Sequence, residues 1–229
     1  MTGNKKKLVI VGDGETAELA HSYFTVDSQF EVVGFAAEEG FRHNKELFGL
    51  PVVAFEEIEQ IFEPKQHYGF VAISYTNLNR LRSRLFLETK RKGYTLCSYI
   101  SSRAYVAPDV KMGDNCFILE NATVQRGAKI GDDVTIWSGS AVGHSSSVGD
   151  NCFLATHVAV SGLCEVGDYS FLGVNSCTVG AIKIGKNCVV GAGAVVTADA
   201  AAGLIYVGNP AKALPNRNTD VFIEGVATI

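Results

Sequence analysis

Between Val106 and about Ala201 the sequence repeats every six residues, and no other feature constrains the fold as strongly. Counting in sixes from Val106 through Met112, Ile118 and Val124 to Val196, fifteen of the sixteen positions are aliphatic or Met, and only Thr178 breaks the run. Four residues after each comes a small or β-branched residue, such as Cys116, Ala122, Ser140, Ser146 or Cys164. The residue directly after the aliphatic one is often glycine (Gly113, Gly131, Gly149, Gly167, Gly185), as a sharp corner with little room for a Cβ requires.

A longer period overlies the short one. Met112-Gly113-Asp114-Asn115 returns every eighteen residues as Ile130-Gly131-Asp132-Asp133, Val148-Gly149-Asp150-Asn151, Val166-Gly167-Asp168-Tyr169 and Ile184-Gly185-Lys186-Asn187. Three hexads therefore make one turn of a triangular coil. Each turn buries its apolar side only by stacking on the next, which predicts a parallel β-helix. Sixteen hexads are a little over five coils, or roughly 25 Å at the spacing of neighbouring strands. Independent apolar strands would not hold one register over this length without an insertion.

Upstream, residues 1–99 alternate strands with helices. Lys7 to Val11 is an apolar run that meets Gly12-Asp13-Gly14, and a helical stretch from Thr16 to Phe24 follows. Phe30 to Phe35 reads as a strand, Leu50 to Val53 as a short one, Phe55 to Phe62 as a helix and Tyr68 to Ile73 as a strand. Asn77 to Lys92 has helical spacing, and Thr95 to Tyr99 is a last strand. This alternation predicts a small parallel sheet of Rossmann type. The expected fold is thus α/β plus β: a Rossmann-like domain over residues 1–99, a parallel β-helix over 100–202 and a closing segment over 203–229. Gly12-x-Gly14 between strand and helix reads either as a phosphate cradle at the helix N-terminus or as a tight turn alone. It lacks the third glycine of a dinucleotide site.

A net charge of −4 offers no basic footprint for nucleic acid. No run of eighteen apolar residues is present to span a membrane, and Leu8 to Val11 is too short for a signal-peptide core. A cytoplasmic protein is expected. Cys116, Cys152, Cys164 and Cys188 fall on inward positions, where a free Cys acts as a small hydrophobe. No CxxC pair suggests a metal site, and none is expected.

Two histidines lie in the repeat. His144 follows Gly143 at a corner, two places after inward Val142, so it is an outward residue, either a plain surface His or a base. His157 shares its corner position with Asn175 one coil on; the two read as a stacked polar pair for a sugar or an amide, or as a solvated ladder. Trp137 reads as an interface residue or a platform for a sugar ring.

The repeat resembles that of the left-handed β-helix, hexapeptide-repeat acyltransferases, and Gly208-Asn209-Pro210-Ala211-Lys212 is similar to the segment that closes their domains. With its Rossmann-like N-terminal domain, the chain is similar to the bacterial enzymes that N-acetylate nucleotide-linked amino sugars for surface glycans. The resemblance implies an acetyl-CoA-dependent acetyltransferase, a homotrimer, with acetyl-CoA and a nucleotide-linked sugar as its small-molecule partners. An O-acetyltransferase of a sialic-acid-like sugar uses the same machinery. A non-catalytic scaffold that only binds nucleotide-sugar is the reading from another class.

By that resemblance His144 in His144-Ser145-Ser146-Ser147-Val148-Gly149-Asp150 is the base. Period eighteen stacks Gly162 on it at ~4.8 Å, which makes its N–H the oxyanion donor. The CoA arm is expected along Gly173, Gly191, Ala192 and Gly193, with Asn209, Pro210 and Lys212 nearer its nucleotide end. Lys212 either pairs with a CoA phosphate or is simply solvated. The nucleotide-sugar is expected on Gly12, Asp13, Gly14, Glu38, Tyr75, Asn77 and Arg80, with His157 and Asn175 toward the sugar. The chain departs from the family in its first loop, which lacks the His and Lys, and at Ser145, where relatives carry an acid. Either a carboxylate such as Glu120 or Asp133 of a neighbouring subunit orients the imidazole, or His144 acts mainly by position.

Overall fold

The structure, a computed structural model, describes residues 5–225. The ends of the expected first and last segments, residues 1–4 and 226–229, lie outside the described residues. Two compact units result: residues 5–74 with 81–99, and residues 75–80 with 100–225.

The first unit runs β1 (Lys6–Val11), α1 (Glu15–Val26), β2 (Phe30–Ala37), β3 (Glu46–Leu47), β4 (Leu50–Ala54), α2 (Ile58–Ile61), β5 (Tyr68–Val71), α3 (Arg80–Arg91) and β6 (Thr95–Leu96). The sheet order is β3-β4-β2-β1-β5-β6. Strand β1 lies between β2 and β5 and is parallel to both, and its Leu8, Val9, Ile10 and Val11 are buried on both faces, as a central parallel strand requires. The two-residue β3 pairs antiparallel with β4 through Phe48 and Gly49, both at positive φ. Two residues are too few to leave a periodic signal, so the sequence did not announce β3.

The helix expected from Asn77 begins at Arg80 instead. Asn77, Leu78 and Asn79 have φ of 50, 49 and 64°, a left-handed turn that an α-helix cannot include. Residues 75–80, expected within the first domain, cluster with the second unit. There Leu78 is fully buried, and the Tyr75 ring meets Phe153 and Phe171 edge-on with centroids 5.0 Å away.

The second unit is the left-handed β-helix, with a sense of turn opposite to the usual strand crossover. Two-residue strands pair with those eighteen residues on, giving three parallel sheets. The hexad residues Ile118, Val124, Val142, Leu154 and Val190 point inward and are at most 1% exposed. Cys116, Cys152, Cys164 and Cys188 are buried free thiols, as expected, and burial pushes the Cys188 thiol up.

Outward positions differ by face. One face carries Lys111, Lys129, Ser147, Glu165 and Lys183 and is charged. A second carries Phe117, Thr135, Phe153 and Phe171, all buried. The third carries Tyr105, Thr123, Ala141, Ala159, Cys177 and Val195, without a single charge.

Corners obey two rules. One residue of each adopts positive φ: Asn115, Asp133 and Asn151 at the Gly-Asp corner, Asn121, His157 and Asn175 at the next, Ser145, Leu163 and Ala181 at the third. Asn and Asp tolerate this conformation best, which explains their recurrence. The corner glycines serve coil-to-coil contact instead: a Cβ on Gly113 would lie 2.7 Å from the Asp132 nitrogen. Inside each corner a small polar side chain ties two coils. Ser146 Oγ donates to the Ser161 carbonyl (2.8 Å) and accepts from the Cys164 N–H (3.0 Å), and Ser140 and Ser170 do the same.

The stack continues through Leu204–Val207, parallel to Val189–Val190, which returns antiparallel as Lys212–Asn218 before a short helix, Asp220–Ile223.

Gly12 separates the two readings of the first loop. Its φ is +125°, and a Cβ there would lie 2.7 Å from the Ala72 carbonyl oxygen, so the glycine is needed for the turn itself. Gly14, with nothing within 4 Å of an added Cβ, is under no such constraint. We expect Gly12→Ala to lower stability by ~1–3 kcal/mol and Gly14→Ala by no more than ~0.5 kcal/mol, read from denaturant midpoints of the two variants.

Candidate active site

His144 and Gly162 occupy the same place in the third corner, one coil apart. The imidazole lies against the Gly162 backbone: a Cβ on Gly162 would sit 2.5 Å from His144 Nε2 and 2.9 Å from Cδ2 and Cε1. Gly162 therefore has to be glycine for the ring to lie there. The ring is exposed, and among the described residues neither of its nitrogens has a hydrogen-bond partner. Its backbone N–H donates to Gln125 Oε1 at 2.9 Å, which fixes the residue from the coil below. Gln125 was missed in the sequence; its place eighteen residues before Gly143 was the available signal.

The Gly162 N–H differs from its carboxylate-capped counterparts at the Gly-Asp corner, and from the other uncapped corner N–H groups, such as those of Thr156 and Val174, in having the His144 ring beside it. At the Gly-Asp corner the equivalent N–H groups are capped by the carboxylate of the next coil: Asp114 by Asp132 (2.8 Å), Asp132 by Asp150 (2.8 Å) and Asp150 by Asp168 (3.2 Å). The residue that would cap Gly162 is Gly180, which has no side chain to offer. Among the described residues the Gly162 N–H meets no acceptor. Its direction follows from the peptide plane. The Ser161 carbonyl accepts from buried Ser146, so in a trans peptide the Gly162 N–H points the opposite way, out of the coil. Gly143 keeps the approach open, since a Cβ there would lie 2.4 Å from the Gly162 nitrogen. An imidazole with free nitrogens beside an uncapped, outward N–H is the pair of groups that acyl transfer requires: a proton acceptor and an oxyanion donor.

Ser145 gives the ring no support, because its Oγ lies over Gly127 on the coil before, the opposite side from the imidazole. Asp133 is fully buried and accepts from Asn115 Nδ2 at 2.7 Å. It is thereby ruled out as an aid to a neighbouring chain. Glu120 accepts from Ser138 Oγ at 2.8 Å and is half-buried.

His157 and Asn175 share the second corner one coil apart, but do not stack ring on amide. The His157 ring lies over Gly139, on the coil before, where an added Cβ would come within 2.4 Å of Cε1 and Nδ1. Trp137 packs near Phe153 (6.1 Å), and its indole N–H is buried without a partner among the described residues.

Gly173, Gly191, Ala192 and Gly193 also lie at the second corner. Coil packing explains the first two glycines: a Cβ on Gly173 would be 2.7 Å from the Ala192 nitrogen, and one on Gly191 2.9 Å from Val207 Cγ1. Ala192 and Gly193 are exposed, and Gly193 has open space before it. Asn209, Pro210 and Lys212 are exposed beside the last coil, where Ala211 N–H bonds the Val195 carbonyl.

Most of the expected nucleotide contacts are otherwise engaged. Asp13 is buried, and its Oδ2 accepts from the His43 and Asn44 N–H groups at 2.7 and 3.2 Å, pinning that loop. Glu38 forms a two-point ion pair with Arg84 at 2.7 and 3.0 Å. Tyr75 packs on the β-helix as described. Arg80 lies 3.5 Å over the Tyr169 ring and donates to Asn187 Oδ1 at 2.5 Å. Asn77 is exposed within the left-handed turn. Gly12 serves the turn, and Gly14 starts α1 with no side-chain cap and with Glu15 and Glu18 in its first turn.

Among the described residues no helix is long and apolar enough to cross a membrane, and no group of three His, Cys, Asp or Glu is placed to hold a metal ion.

Residues 109–144 and 165–198 match the hexapeptide repeat of succinyl-transferase, and residues 127–162 the bacterial transferase hexapeptide of six repeats. No curated protein sequence matches the chain. Among solved structures, a histidine-to-asparagine variant of perosamine N-acetyltransferase from Caulobacter crescentus, in complex with CoA and GDP-perosamine, is 27% identical with a TM-score of 0.82; the alignment covers 92% of this chain and 97% of that one. The acetyltransferase domain of PglB from Neisseria gonorrhoeae, in complex with acetyl coenzyme A, has a TM-score of 0.83 over 92% of this chain and 100% of its own, at 24% identity. WeeI from Acinetobacter baumannii has a TM-score of 0.76 at 24% identity, over 90% and 99%. The latter two likenesses concern the fold. The chain thus carries the hexapeptide repeat of the bacterial transferases and is similar, over nearly its whole length, to left-handed β-helix sugar acetyltransferases.

Proposed function

We propose that the chain transfers the acetyl group of acetyl-CoA to the amino group of a nucleotide-linked amino sugar, as part of bacterial surface-glycan synthesis. The observation that carries this reading is the exposed His144 imidazole over the uncapped Gly162 N–H. The sugar amine attacks the thioester carbon, and the carbonyl oxygen becomes an oxyanion that accepts from Gly162 N–H. His144 takes the proton that the amine sheds in the tetrahedral intermediate. The C–S bond then breaks, and the proton passes to the departing CoA thiolate. The perosamine enzyme, which has been studied with CoA and GDP-perosamine in forms carrying Asn or Ala in place of one His, supports the amino-sugar reading.

The faces of the coil support a trimer. The uncharged face, from Tyr105 to Val195, is bounded on one edge by the second corner, with Ala192 and Gly193, and on the other by the third, with His144 and Gly162. Three chains packed with that face toward a common axis set the second corner of one beside the third corner of the next. The CoA arm, with its nucleotide end toward Asn209, Pro210 and Lys212, then reaches His144 only across a subunit boundary. Exposed Leu163, Val174 and Val179 near these edges are further apolar surface for such packing.

For the nucleotide, the free groups at the start of α1 remain the candidate, with Gly14 open to a ligand. Glu15 and Glu18 already complement that helix end.

Two results are expected. His144→Ala should lower kcat by a hundredfold or more, the order for losing a general base, with thiol release from acetyl-CoA measured against UDP-, GDP- and dTDP-linked amino sugars. Full rate in the variant would remove His144 from the chemistry, and turnover with hydroxyl sugars alone would replace N- by O-transfer. Ala159→Glu, at the middle of the uncharged face, should give a monomer by light scattering and lose activity with it; an active monomer would refute the shared site.

A further inference from the structure

The one break in the hexad run has a consequence at the proposed oxyanion donor. Elsewhere along this corner, N–H groups join the coil above through its backbone: Gln125 to the Val142 carbonyl (2.9 Å), Gly143 to Val160 (2.8 Å) and Val179 to Val196 (3.0 Å). Ser161 does not follow. Its N–H donates to the Thr178 hydroxyl at 2.9 Å, and its own hydroxyl donates to the Thr178 carbonyl at 2.7 Å. Thr178 Oγ1 also lies 3.4 Å from Cys164 Sγ. The local strand pairing narrows accordingly, with Ala159 opposite Cys177 but no partner pair for Val160 and Thr178.

We propose that Thr178 and Ser161 are positioning residues that set where the Gly162 N–H points. The inference rests on the reading of Gly162 as oxyanion donor. Ser161 and Gly162 share a peptide bond, and that peptide is held at its carbonyl by Ser146 and, one bond away, by the exchange of hydroxyl bonds with Thr178. A regular ladder would draw the Ser161 nitrogen to the strand carbonyl and turn the peptide with it. Thr178 is 7% exposed and faces the interior, where the other fifteen positions of the run are aliphatic or Met. A polar inward residue has a desolvation cost that an aliphatic one avoids, so its presence beside this corner calls for a local gain.

The test is Thr178→Val, which restores the hexad and lets Ser161 N–H return to the backbone carbonyl. Its melting temperature should equal or exceed that of the wild type. Its kcat should fall roughly ten- to a hundredfold, the cost of a small misplacement of a catalytic group, with KM for acetyl-CoA and sugar unchanged. Thr178→Ser, which keeps the hydroxyl, should restore kcat. Ser161→Ala should lower kcat also, and the double variant should lose no more than the worse single one, because both changes break one device. Full kcat in Thr178→Val, with an active wild type, overturns the positioning and leaves the acetyl-transfer reading standing. A loss that tracks a falling melting temperature in all these variants, Thr178→Ser included, overturns it as well. A wild type inert toward every amino sugar and hydroxyl sugar overturns the activity and this inference together.

Discussion

Everything in the second unit depends on the backbone hydrogen bonds that join each coil to the coils before and after it. Strands of two residues are far too short to be stable alone. They persist because each is bonded to the coils before and after it, and the Ser and Cys side chains inside the corners tie the turns that strands leave unpaired. An apolar residue every sixth position is the sequence counterpart of that constraint. Once the ladder sets the register, side chains eighteen residues apart have to meet, and the placement of His144 beside Gly162 follows from it.

The same ladder makes a reactive corner possible by leaving some groups out of it. Asp132, Asp150 and Asp168 cap the outward N–H groups at one corner, and that corner is structural. At the His144 corner the capping position is Gly180, and the N–H beneath it meets no acceptor among the described residues. Corners with different duties on one repeating backbone differ by only a few side chains.

Much of this was legible in the sequence. The six- and eighteen-residue periods foretold the coils, the inward cysteines and the stacking of His144 on Gly162, because these follow from arithmetic on one register. The left-handed turn at Asn77, Leu78 and Asn79 was not legible, since the pattern of apolar residues there suits a helix and only the backbone shows otherwise. Nor were the engagements of Asp13, Glu38 and Arg80. Each was a polar residue near the expected loop, and each has a partner distant in sequence: His43 and Asn44, Arg84, and Asn187. Side-chain direction was invisible too. His144, two places after its inward residue, leans on the coil after it, and His157, three places after its own, on the coil before.

The most direct measurement of the central claim is a crystal structure of the protein with acetyl-CoA and an amino-sugar acceptor. The account predicts the thioester carbonyl oxygen at ~3 Å from the Gly162 nitrogen, with the acceptor amine beside His144 Nε2. A thioester lying at any other corner, with Gly162 N–H still facing solvent, would contradict it.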